Sequence, residues 1–206
     1  MARYLGSVCK LCRREKEKLF LKGEKCYSNC ILSKKRGKNA PGQHRIIKSK
    51  ISDYAKHLRE KQKARRIYGL TEEQFSHYYE IADKMRGSTG DNLLRLLESR
   101  LDSVVYKLGI VLSKKMARQM INHGNILVNN KKIDVPRYHV KIGDNITFSE
   151  RCKTNMRKFH KKTALNTPAW LSFNEDKFIG TVLNEPLLDE ISRYINSQLI
   201  VEYYSK

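Results

Sequence analysis

Acidic residues are scarce in this chain: 21 Asp and Glu stand against 42 Lys and Arg, a formal net charge of +21 over 206 residues. Self-repulsion on that scale opposes compaction unless a polyanion offsets it. Long apolar runs are missing too. Nothing approaches the ~18 uninterrupted apolar residues of a membrane span. The opening MARYLGSVCKLCRRE has no apolar core followed by a cleavage site, so no secretory signal is read there. A reducing, cytoplasmic setting is therefore expected, and disulfides are disfavoured. Also absent are a Gly-rich phosphate loop and a His-Glu-x-x-His pair, and the acids are scattered, so a catalytic centre is not expected. What is there is a globular composition, 40% hydrophobic and 31% charged, long enough for one or two domains. By charge the expected polyanion partner is nucleic acid, with an anionic membrane surface as the runner-up and a merely basic chain as the alternative.

The excess charge is unevenly spread. Residues 1–50 hold 15 basic and 3 acidic residues, net +12, against +2, +4 and +3 in the three stretches that follow. A segment so charged does not pack by itself without a staple or a partner. A staple is visible in Cys9, Cys12, Cys26 and Cys30, which read Cys-x2-Cys, thirteen residues, Cys-x3-Cys. Two close thiol pairs suit a structural tetrahedral zinc site, one ion per chain, with no open position for a substrate. The alternatives are four reduced thiols or two disulfides. Between the pairs, Arg13, Arg14, Lys16, Lys18, Lys22 and Lys25 would form a basic knuckle. Cys152 has no paired cysteine and reads as a small packed or surface thiol. Residues 33–50 read as a basic loop, broken at Gly37, Pro41 and Gly42.

Helices follow. Residues 52–68 begin at a good N-cap, Ser52, and carry Arg59, Lys61, Lys63, Arg65 and Arg66. The facing apolar stripe is too thin for strong membrane insertion, which favours phosphate over lipid. Thr71 and Gln74 fit a capping box, and Phe75, Tyr78, Tyr79 and Ala82 form an apolar face read as core. After a loop at 87–90, Asp91 is the expected cap. Leu93, Leu94, Leu97, Leu101, Val104, Val105 and Leu108 then keep helical spacing as far as Gly109. Residues 113–124 predict a short helix capped by Ser113 and stopped by Gly124. Met116, Ala117, Met120 and Ile121 would face inward, and Lys114, Lys115, Arg118, Gln119 and Asn122 outward. Two short strands about an Asn129-Asn130 turn, then a turn at 141–144 and a strand NITF, complete a small module. His123 is placed to bond phosphate or cap the helix end.

The segments MARYLG, CKLCRRE, PGQH, SDYAKHLREKQKARRIYGL, GDNLLRLLESRLDSVVYKLG, ARQMINHGNILVNNKKIDVP and INSQLIVEYYSK occur in one order across the whole chain. Together they closely resemble the bacterial-type small-subunit ribosomal protein S4 family. The resemblance implies an α+β, mostly helical fold. Its parts are a basic zinc-knuckle extension over 1–45, a helical domain over 46–97 completed by 161–206, and an inserted S4-type RNA-binding module over 98–160. It implies a non-enzymatic primary binder of 16S rRNA that grips a multi-helix junction of the 5′ domain and nucleates subunit assembly. It also implies contact with small-subunit protein five, an interface linked to translational accuracy, and a place near the mRNA entry channel, with neither a membrane nor a homo-oligomer as partner. Family members divide between those that keep the four cysteines with zinc and those that lack them. This chain keeps Cys9, Cys12, Cys26 and Cys30, but departs at Arg45, where a Gly is common, and at Asn130 in the hairpin turn.

The expected rRNA contacts are Arg3, Tyr4, Arg13, Arg14, Tyr54, Arg59, Lys61, Gln62, Lys63, Arg65, Arg66, Lys114, Lys115, Arg118, Asn122 and His123, with Arg45, Lys48 and Lys50 toward mRNA. The rivals are an RNA-modifying enzyme sharing the small module, such as a pseudouridine synthase, and a zinc-containing DNA-binding regulator. The first lacks a catalytic domain and the second lacks a visible recognition helix or dimer. Reversing two charges at once, Arg65→Glu with Arg66→Glu, is expected to weaken binding to 5′-domain rRNA sharply. Unchanged retention on that RNA at moderate salt would refute the assignment.

Overall fold

The computed structural model describes residues 4–34, 37, 39–42, 51–150, 152–154, 167–188, 191 and 194–205. The chain divides into two units, one of Met1–Leu94 with Asp189–Lys206 and one of Arg95–Leu188.

In the first unit, α1 (Val8–Glu15) and the short α2 (Glu24–Ser28) carry the cysteine segment, followed by a 3₁₀ turn at Ile31–Ser33. The long basic helix is α3 (Asp53–Tyr68). Ser52 Oγ accepts from the Ala55 N–H at 3.3 Å, as its N-cap role requires. Gly69 ends it at φ 64°, and the N–H groups of Gly69 and Leu70 satisfy the carbonyls of Arg66 and Arg65. Helix α4 (Glu72–Lys84) opens on the capping box foreseen at Thr71 and Gln74, and buries Phe75, Tyr78 and Ala82. Helix α5 (Thr89–Glu98) begins two residues before Asp91, which therefore sits in the first turn rather than capping it. The last helix of the chain, α8 (Ser197–Tyr204), is capped by Asn196 and buries Ile200.

Helix α8 packs on α3 through polar as well as apolar contacts. Glu60 accepts from the Asn196 N–H at 2.8 Å, and His57 Nε2 lies 3.0 Å from Glu202. The Tyr204 ring stacks on Tyr79 at 4.4 Å between centroids. The buried face of α4 is thus completed by residues more than a hundred positions later.

The second unit surrounds one apolar core. Its residues include Leu101, Val104, Val105, Ile121, Ile126, Ile146, Phe148 and Trp170, all nearly free of solvent. The single leucine-rich helix expected up to Gly109 is instead two, α5 and α6 (Leu101–Lys107). The break falls at Ser99-Arg100, where Arg100 turns extended and its backbone bridges His139. Its guanidinium holds Asp102 with two bonds, 3.0 and 2.7 Å, while Ser103 donates to Glu98 at 2.7 Å. Helical spacing of the leucines survives the break because both helices turn them inward, so apolar periodicity alone does not reveal it.

Helix α7 (Lys114–Asn122) is capped by Ser113, whose Oγ accepts from the Met116 N–H. Ala117, Met120 and Ile121 are buried as expected, but Met116 remains 42% exposed, on the outer face. Strands β1 (Ile126–Val128) and β2 (Lys131–Lys132) pair about Asn129 and Asn130, at φ 49° and 65°. Both values are those of the tight hairpin turn the residues suggested. The Asn129 side chain also reaches β3 (Asn145–Phe148), accepting from the Asn145 N–H at 2.9 Å and donating to Asp144 at 2.8 Å. Glycine at position 129 could make neither hydrogen bond.

Two strands, β4 (Leu171–Asn174) and β5 (Ile179–Val182), had no counterpart in the sequence reading, which gave 161–206 to the helical domain. They extend an antiparallel five-stranded sheet, in order β2-β1-β3-β5-β4. Within β5, Gly180 pairs with Ile146 on one side and Phe173 on the other. A Cβ there would lie 2.5 and 2.9 Å from the methyls of Leu108. Gly180→Ala should therefore cost the second unit about 1–3 kcal/mol by overpacking. Urea unfolding reads this directly, and an unshifted midpoint would contradict the packing.

Candidate RNA-binding surface

The basic helix α3 is not a row of free cations. Its charges are met by carboxylates from three directions. Glu15, on α1, has a side chain only 2% exposed and accepts from both Arg59, at 3.3 Å, and Arg66. Burial raises its carboxyl above the usual value, while Arg66, Arg59, Arg14 and Lys63 pull it down. Burial likewise lowers Arg66, against the attraction of Glu15. Lys63 lies between Glu60, at 2.9 Å, and Glu17, at 3.3 Å. Arg65 donates twice to Gln62 Oε1 and comes within 3.6 Å of Glu72.

Lys61 is 3% exposed, so the chain as folded withdraws it from any phosphate. Its ammonium reaches Glu72 at 2.5 Å and lies 4.4 Å from the centre of the Tyr203 ring. The Tyr204 hydroxyl donates to the same carboxylate at 3.2 Å, and burial beside Glu72 pushes that phenol well above its ordinary range. Tyr54, 56% exposed, lies 5.8 Å from the Tyr203 ring. None of Glu15, Glu17, Tyr203 or Tyr204 stands out in the sequence, where Glu72 reads only as favouring the start of its helix. The signal that could have found the carboxylates was their scarcity amid so much basic charge.

The cysteine segment presents its own cations. Arg14, Lys16, Lys18, Lys22 and Lys25 are exposed, and Tyr4 is 47% exposed. Arg13 differs, since its guanidinium donates to the carbonyls of Asn39 and Ala40 at 3.0 and 3.3 Å. The four thiols are free, and among the described residues no group of three or more His, Cys, Asp or Glu is close enough to hold a metal ion. The zinc knuckle is therefore not drawn by this geometry. Val8, Cys12 and Leu19 are buried and anchor the segment that carries the thiols. The thiols nonetheless share a neighbourhood. Burial pushes the Cys12 thiol up, and Cys26, Cys9 and Cys30 each push it further. A backbone bond from Leu19 reaches Cys12, and the Lys22 N–H donates to Cys26 Sγ at 3.3 Å.

On the second unit, Lys115, Asn122 and His123 are exposed and Arg118 is half-buried on α7, beside exposed Lys131 and Lys132 of the hairpin. Lys114 was expected to face outward. The residue keeps part of its surface in solvent, yet its ammonium is enclosed and its pKa is pushed down to about 8. Burial is the main cause, with Glu98 opposing it and Lys107 adding to it. Arg3, Arg45, Lys48 and Lys50 lie outside the described residues.

No helix among the described residues is long and apolar enough to cross a membrane. Among known proteins, residues 3–98 match the family model described as Ribosomal protein S4/S9 N-terminal domain, and residues 99–146 match the S4 domain. The Small ribosomal subunit protein uS4 of Endomicrobium trichonymphae is 71% identical over 208 residues, covering all of both chains. The uS4A protein of Clostridium botulinum is 52% identical and the uS4 protein of Acetivibrio thermocellus 48% identical, again over the full length of each.

Lys114 also dictates a pH dependence. A lysine whose folded pKa lies below its unfolded value of 10.5 contributes stability that is complete above that value and lost as pH falls through about 8. Lys114→Met should flatten the second unit's stability across that window and raise it at neutral pH. Urea midpoints across the same range test this, and a profile as steep as the parent's would refute it.

Proposed function

The chain belongs to the ribosomal protein S4 family, and from that premise we propose what its surfaces do. It is a small-ribosomal-subunit protein, rRNA-binding and not an enzyme. Within that role we read it as a primary binder of 16S rRNA that clamps a helical junction of the 5′ domain, and so helps to nucleate subunit assembly. The observation that carries this reading is the presence of basic surfaces on several elements: exposed on α1 and its following loop and on α7 with the hairpin, and half-buried among carboxylates on α3. Lys and Arg on such surfaces release counterions from RNA, so affinity falls steeply with salt. Recognition rests on shape and phosphate position, since side chains do not read the narrow A-form major groove.

The proposed phosphate contacts are Arg14, Arg59, Lys63, Arg65, Arg66, Lys115 and Arg118, with Arg13 presenting what its carbonyl bonds leave free. Lys61 acts instead beneath the surface, against the Tyr203 ring, and the enclosed Lys114 ammonium is not counted among the contacts. Tyr4, Tyr54, Gln62, Asn122 and His123 add hydrogen bonds or stacking. Contacts with small-subunit protein five and with mRNA, the latter through Arg45, Lys48 and Lys50, remain part of the same proposal. The charge reversal at Arg66 also sets a new carboxylate against Glu15, so exposed Lys115 and Arg14 are cleaner probes of phosphate contact.

We further propose that Cys9, Cys12, Cys26 and Cys30 take up one structural zinc ion once drawn closer than they stand: their spacing suits it, Cys12 feels the other three thiols, and main-chain donors reach two of the sulfurs. Bound zinc would supply no chemistry beyond pinning α1 to the segment around α2. One experiment addresses both parts: RNA crosslinks of this chain in purified small subunits, with zinc measured per chain. Crosslinks confined to the 5′ domain and one zinc per chain are expected. Absence from the subunit would overturn the rRNA assignment, and metal-free chains in intact subunits would overturn the zinc.

A further inference from the structure

Glu15 supplies a carboxylate to α3 from outside that helix. Its carboxylate is almost wholly buried, lies between two α3 guanidiniums, and comes from a different helix. Its partners keep unequal access to solvent: the Arg59 side chain is 37% exposed and that of Arg66 is 16% exposed. The Arg66 Nε is buried with no hydrogen-bond partner, so the guanidinium is not there to optimise its own bonding. An unpaired Arg59 and Arg66 would add two cations to a helix that any polyanion attracts. With Glu15 in place the three groups sum to a single positive charge, and each planar fork is held in one orientation.

We propose that Glu15 is a specificity-determining residue: it acts as an internal counterion that holds Arg59 and Arg66 in fixed orientation, lowering affinity for arbitrary RNA while leaving the cognate junction recognised. It is a positioning residue, touching RNA only through the two arginines. The inference rests on the reading that α3 faces rRNA. Arbitrary duplexes bind through delocalised charge and lose from the neutralisation. A junction whose phosphates meet the outward N–H groups loses little, because those groups are already oriented.

The test compares Glu15→Gln with Glu73→Gln, which removes the same charge from an exposed site in the first turn of α4. Binding to a 5′-domain junction RNA and to a random-sequence duplex of equal length is measured across a salt series. Glu15→Gln should tighten duplex binding about threefold at low salt and steepen its salt slope by about 0.7–0.9, one extra counterion released. Junction affinity should not rise, so the specificity ratio falls, whereas Glu73→Gln leaves the ratio unchanged. Equal ratios in both variants would mean that net charge alone is at work and would overturn the proposal. If Glu15→Gln does not fold by circular dichroism, the wild-type chain decides. The random duplex should leave the Arg66 Nε–Hε resonance unmoved while shifting that of exposed Arg14, and an equal shift at both overturns the proposal. Failure of the wild-type chain to prefer the junction would instead count against the rRNA reading itself.

Discussion

A helix carrying six cations in its sixteen residues folds here because carboxylates from elsewhere in the chain meet it. Glu15 and Glu17 come from the cysteine segment, Glu72 from α4, Glu202 from α8, and Glu60 from α3 itself. The acids are few, and several of them are spent on this one helix. Partly buried pairs resist salt screening better than exposed ones, so this neutralisation persists where a surface pair would fade. The burial is not free. It raises the Glu15 carboxyl and lowers the Arg66 guanidinium, the signature of charges taken out of water and only partly compensated by each other. What the arrangement supplies is definition, since each cation has one preferred direction.

The two units reach order by different routes. The first closes across the whole chain: Ile200 and Tyr204 of the final helix complete a core begun by Phe75 and Ala64. Tyr79 stacks on Tyr204, Tyr203 meets Tyr204 edge-on, and the Lys61 ammonium sits against the Tyr203 ring face, a contact favoured more when water is excluded. The second unit is continuous in sequence and is organised at one polar knot. Arg100, Asp102, Glu98 and Ser103 are all nearly buried and satisfy one another where α5 gives way to α6. A buried network of this kind is tolerable only when its members are paired, which fixes the turn between the helices sharply.

Local chemistry was legible wherever one residue type has one physical use. Ser52, Thr71 with Gln74, and Ser113 cap the helices they appeared to cap, and Asn129 with Asn130 make the turn that positive φ demands. The fully buried leucines of α5 and α6 follow the spacing that announced them. The α+β class and the family were legible too, because long segments carried them. Strands β4 and β5 were not, since Leu-Ser-Phe-Asn alternates over only four residues and the glycine inside Ile-Gly-Thr-Val interrupts the pattern of its partner. Nor was the helix break at Ser99-Arg100, because a polar knot leaves the apolar period intact.

By itself, then, the sequence determined the caps at Ser52, Thr71 and Ser113, the hairpin turn, most of the core-facing residues, the family and the sign of the partner's charge. Only the tertiary structure decided which cations are available to that partner. Lys61 and Lys114 read as surface charges beside Arg65 and Lys115, yet one lies under Tyr203 and the other in an enclosed site pushed down to about 8. The reason is physical. Apolar burial repeats with the helix and is visible locally, whereas electrostatic neutralisation depends on acids from distant segments, and their distances exist only once the chain has folded.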